Sequence, residues 1–162
     1  MEVSFLMSKH MHNVHYGGNW TEVNLKDLLD DVNWQEALIT PFECNSIADL
    51  TYHIHYFTQG VNEFLETGEL KIRDKFSFDR PEINSEKDWQ DLKALSLATA
   101  ASFSENVARI EESKWEEDFI DPKYSSYFTN FLGIIEHCHY HLGQIAILKK
   151  IIRSKDFRRV NG

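Results

Sequence analysis

Two cysteines, three prolines and seven glycines are all that 162 residues contain, and each scarcity excludes something. Cys44 and Cys138 are too few for a disulfide framework and form no C-x-x-C pair, so a reducing interior is expected. Pro41, Pro81 and Pro122 fall between helix-like stretches and interrupt none of them. No apolar run approaches the roughly 18 residues of a membrane-spanning helix. The N-terminal "MEVSFLMSKHMH" has no basic stretch followed by a long apolar one, so no secretory signal is expected, and a soluble cytoplasmic protein is the expectation. Basic charge is also short. Seventeen Lys and Arg face 26 Asp and Glu, a net charge of -9 that argues against nucleic-acid or anionic-membrane partners, which need clustered cations. The pairs "KK" at 149–150 and "RR" at 158–159 lie near the C-terminus, where cations also suit a helix end.

What the chain does have is helical period. The composition, 42% hydrophobic and 27% charged, is that of a globular chain, and its length suits a single domain over residues 1–162. A first segment, about 3–16, carries Val3, Leu6, Met7, His10 and Val14 along one side and stops at "YGGNW". Short helical turns follow in "NLKDLLDDVNWQEALITP". The second long segment opens at Ser46 with Asp49 three residues on, a capping-box pattern, and keeps an apolar stripe through Leu50, Ile54, Phe57, Val61 and Phe64 until "TG" at 67–68. The stretch "GELKIRDKFSFDRPEINSEKDW" has no helix period and contains Pro81, which makes it a long crossover. A third segment starts at Ser85, again with an Asp three residues on, and the fourth runs from about 126 to 152. Four amphipathic helices and no convincing strand set predict an all-α four-helix bundle, and the long connection means the topology is not simple up-down-up-down.

Eight histidines are present, and three crowd into "HCHYH" at 137–141. At about 100° per residue, His137 and His141 share a face next to the core stripe, whereas His139 falls on the opposite flank. In "HIH" at 53–55, His53 borders the apolar centre and His55 points well over ~100° away, toward solvent. Phase therefore selects His53, His137 and His141 as inward-facing. Three imidazoles from two helices suit zinc, nickel, copper or iron, and three protein ligands with a vacant position are the pattern of a catalytic site. H-x-x-x-H alone is a weak signal; the third inward His strengthens it, and Gln144, one turn past His141, is placed either to orient a ligand or substrate or to hydrogen-bond a neighbouring backbone.

"NSIADLTYHIHYFTQGVNEFL", "FDRPEINSEKDWQDL" and "GIIEHCHYHLGQIAILKK" together resemble the DinB-like family of small four-helix proteins, over nearly the whole chain. The most specific piece is H-x-x-x-H-x-G-Q, at His137, His141, Gly143 and Gln144, with the family's earlier histidine at His53. The resemblance implies a bundle with its long crossover between the second and third helices, frequent homodimers and a metal triad on those three histidines. Zinc and nickel are the leading candidates for the ion. For activity it implies less: some relatives are transferases or isomerases that use low-molecular-weight thiols, others look like hydrolases. The additional C-terminal domain of some thiol-dependent isomerases is not matched here.

A divalent ion on His53, His137 and His141 brings water or a thiol toward its nucleophilic form at neutral pH. The first functional expectation is thus metal-assisted transfer or hydrolysis on a small-molecule substrate, with a thiol as candidate cosubstrate. The second is a non-catalytic bundle in which the ion ties two helices together, or which serves protein interaction. A bundle without metal would leave three inward imidazoles in need of hydrogen-bond partners. No general base is evident, since Glu136 projects about 100° from His137. Cys138 reads as a small buried hydrophobe, Gly143 as a point of close helix approach, and His10 as an inward-facing histidine, with His12 and His15 turned away. Trp20, Trp34, Trp89 and Trp115 read as packing for the bundle ends.

Overall fold

The computed structural model describes residues 2–161. Four long helices dominate: α1 (Val3–Tyr16), α4 (Ile47–Thr67), α5 (Glu86–Val107) and α6 (Tyr127–Arg153). Three short ones accompany them, α2 (Leu25–Asp30), α3 (Trp34–Ala37) and α7 (Lys155–Asn161). Among the described residues there is no β-strand, only an isolated bridge between Asp118 and Ser126, so the all-α expectation holds. No described helix is long and apolar enough to cross a membrane.

The long helices close a ring in the order α1, α5, α4, α6. Cross-helix hydrogen bonds give the directions. Ser4 and Ser8 donate to the carbonyls of Ile110 and Ser104, so α1 and α5 are antiparallel. Gln59 pairs with Thr99 and Asn62 with Asn106, so α4 and α5 run parallel. A parallel pair forces the chain back along a helix of 21 residues, about 31 Å at 1.5 Å per residue. Residues 68–85 cover that distance, and this is the physical reason for the long crossover.

Each helix start has a local cause. Ser46 and Asp49 form the expected capping box. Ser85 caps α5, but Asp88 reaches past it to the backbone N–H of Asn84. Helix α1 has no side-chain N-cap; the Glu112 carboxylate accepts from the N–H groups of Val3 and Ser4 at 2.9 Å each. The crossover is fixed at two points. The Tyr56 hydroxyl bonds both the N–H and the carbonyl of Arg73, and the Arg80 guanidinium donates to the capping Asp49 at 2.7 Å. Just before the first of those points Ile72 lies over Gly60, where an added Cβ would run into Ile72 Cγ1. Gly60→Ala is therefore expected to overpack this contact and cost about 1–3 kcal/mol, lowering the melting temperature by several degrees. Adding Ile72→Ala in the same chain should recover part of the loss in thermal denaturation.

Several positions differ from expectation. The buried face of α1 is Ser4, Met7, Met11, Val14 and His15, which leaves His10 exposed and His15 buried, the reverse of the sequence reading. Ser4 takes an inward position because it has polar work there: its hydroxyl accepts from Trp115 Nε1 and donates to the Ile110 carbonyl. Trp89 and Trp115 are buried, but Trp20 is 97% exposed and packs no bundle end. Gly143 is exposed, and a Cβ there would meet nothing within 4 Å, so no close helix approach explains it.

Candidate metal centre

His53 sits two turns into α4, and His137 and His141 lie mid-way along α6. These two helices are antiparallel neighbours, and the three imidazoles meet between them. His53 Nε2 lies 3.0 Å from His137 Nε2, which in turn lies 3.0 Å from His141 Nε2. All three ligand atoms fall within 4.8 Å of one another. A tetrahedral ion with metal–nitrogen bonds of about 2.05 Å sets its ligand nitrogens about 3.3 Å apart, so small ring movements complete the fit. Helical phase selected the same three residues, and the structure brings them together.

The surroundings favour neutral rings, the form that ligates. Burial holds His137 down at about 4, with the neighbouring His141 and His53 adding to the effect. Burial also lowers His53, helped by His141 and opposed by the Ser77 backbone, and it lowers His141, opposed by Gln144. Gln144 does what its position one turn on allows. Its Oε1 accepts from His141 Nδ1 at 2.7 Å, which leaves the Nε2 lone pair of His141 free to face the other two rings. Gln144→Leu is expected to weaken zinc binding by about 10–100-fold without unfolding the chain, measured by competition against a chromophoric chelator.

Aromatic rings hold the site in place. Phe78 stacks on His53 with centroids 4.2 Å apart and planes 15° from parallel, and Phe57 meets both His53 and His137 edge-on at 5.0 Å. Tyr140 stands edge-on to His141. Phe78 belongs to the crossover, which the absence of helix period left without an assigned direction. Ser77 Oγ, on the crossover next to Phe78, is buried without a hydrogen bond.

The remaining histidines separate from this centre. His139 is half-buried on the other flank of α6, as its phase requires. His55 is buried, not solvent-facing, because the crossover covers that side of α4: it lines a cavity of about 180 Å³ with Tyr52, Gln59, Glu63 and Ile72. Cys138 lies in the core, and burial pushes its thiol up to about 12, far from a nucleophile's range. Glu136 is exposed and supplies no base. Comparison of the chain with family models, curated protein sequences and solved structures returned no match.

Proposed function

We propose that this chain is a DinB-like, divalent-metal-binding protein that acts as a metal-dependent enzyme on a small molecule. The observation that carries the reading is the convergence of His53, His137 and His141, three buried or half-buried nitrogens within 4.8 Å with no carboxylate among them. An all-imidazole donor set suits zinc or nickel over calcium or magnesium, which prefer oxygen ligands. Such an ion supplies Lewis acidity, lowering the pKa of water or of a thiol at its open position. The chain's own part is to present three neutral rings, to fix the His141 tautomer through Gln144, and to hold the His53 ring in place with Phe57 and Phe78.

The reaction class that follows is transfer or hydrolysis, with a low-molecular-weight thiol as candidate cosubstrate. The four-helix ring and the crossover between α4 and α5 support the DinB-like reading, and pairing of two copies belongs to the same proposal. The test begins with untagged protein. Elemental analysis should return about one zinc or nickel ion per chain. Metal-loaded protein offered thiols and electrophilic small molecules should then turn over, and chelator should abolish the turnover. Protein that carries no metal and takes up none rules the proposal out.

A further inference from the structure

One helical turn beyond the histidines, toward the C-terminal end of α6, lies a cavity of about 400 Å³. Its wall is apolar, built from Leu50 of α4 and from Ile147, Leu148 and Ile151 of α6. Gln144 belongs to both places: its side chain lines the cavity while its Oε1 holds His141 Nδ1 at 2.7 Å. At the far side stand Glu43 and Asn45, on the loop before α4. That loop has an uncommon shape, because Phe42 and Glu43 both adopt left-handed backbone, φ 52° and 60°, without being glycine. Phe42 is 79% exposed, and its ring meets Phe157 of α7 edge-on. Glu43 thus stands as an exposed carboxylate at the edge of an apolar cavity, next to Cys44, and none of the lining residues is basic.

We infer that this cavity binds the organic substrate of the metal centre, and that the substrate is an amphipathic small molecule. Its apolar body lies along Leu50, Ile147, Leu148 and Ile151, and its cationic end faces Glu43. The volume suits a drug-sized or smaller ligand, with apolar walls and a few placed polar groups. The charge pattern selects against carboxylates and phosphates, which would meet Glu43 with no cation to offset it. The inference rests on the proposed metal function for its reacting end, which is the Gln144 side, but binding in the cavity does not require an ion.

Isothermal titration with 3-phenylpropylamine, 3-phenylpropan-1-ol and 3-phenylpropionate tests it, on the parent chain kept metal-free by chelator so that no probe reports coordination. The amine should bind at least about tenfold more tightly than the carboxylate, the effect of one charge contact at a half-solvated mouth. Raising the salt should shrink that ratio. Glu43→Gln should bring the amine to the level of the alcohol, and Ile147→Ser, at a half-exposed position, should weaken all three alike by severalfold. Equal binding of amine and carboxylate, no binding of any probe, or an unchanged preference in Glu43→Gln overturns the inference. Metal uptake measured on the same preparations separates it from the proposed function: amine binding by a chain that takes up no metal defeats the metal reading alone, and metal uptake without probe binding defeats the cavity alone.

Discussion

His137→Ala should lose zinc almost completely, because His137 is the ring that joins the other two. Its Nε2 lies 3.0 Å from both His53 Nε2 and His141 Nε2. Structural zinc sites bind with roughly 10–16 kcal/mol, so one of three or four ligands carries on the order of 3 kcal/mol, a hundredfold or more in affinity. The loss should appear twice, in chelator competition and in thermal denaturation. Zinc at a thousand times its dissociation constant raises the parent's stability by about 4 kcal/mol, and that rise should vanish in the variant. His139→Ala is the matched control, two residues away on the other flank of α6, and should bind zinc like the parent. Equal losses in the two variants would mean that the crowding of histidines matters and the spacing of four does not.

Acidification of the metal-free protein should cost stability in the window between the ordinary histidine value and about 4. Burial holds His15 down at about 4, the Met11 carbonyl opposing it and His12 and His139 adding to it. A folded pKa below the unfolded one means that the unfolded chain binds more protons as pH falls. Stability is therefore full above the ordinary histidine value of 6.5 and drains away down to about pH 4. For His15 alone, buried at 2% exposure, the shift amounts to roughly 3 kcal/mol. His137, also lowered to about 4, and His53, His55, His139 and His141, all lowered, act in the same direction. Asp31 works lower: the Arg153 and Lys149 partners hold it at about 2, so its contribution is lost only in stronger acid. Urea titrations in chelator between pH 8 and 4 check this, and His15→Leu should flatten the curve. A stability independent of pH across that window would contradict the burial of these rings.

The residues that sequence placed well are those whose burial depends on one helix meeting another. His53, His137 and His141 each flank an apolar stripe, and a stripe records the direction of the neighbouring helix. Where burial depends on something aperiodic, the wheel has no information. His55 lies beneath the crossover, and its stripe continues through Gln59 and Glu63, polar residues that give no apolar signal. His15 was misplaced for a related reason: Val3 and Leu6 pulled the apparent face of α1 toward His10, although Leu6 is 37% exposed and the small polar Ser4 is buried. Phe78 had no readable direction at all, yet it makes the closest ring contact with a proposed ligand. The parallel course of α4 and α5 was legible only indirectly, through the length of the connection that it requires.

The strap that carries Phe78 has a thermodynamic consequence for the histidine beneath it. With Phe78 flat against one face, Phe57 at an edge and Arg80 anchoring the strap to the α4 capping box, the His53 ring has surrendered its rotamer freedom when folding is complete. Immobilising a side chain at the moment of binding costs about 0.5–1.5 kcal/mol, and here that entropy is lost before any ion arrives. On the proposed metal-binding reading, the affinity of the centre would be set partly by residues that supply no ligand atom. A chain with the same three histidines and a slack crossover would offer identical chemistry and a weaker grip.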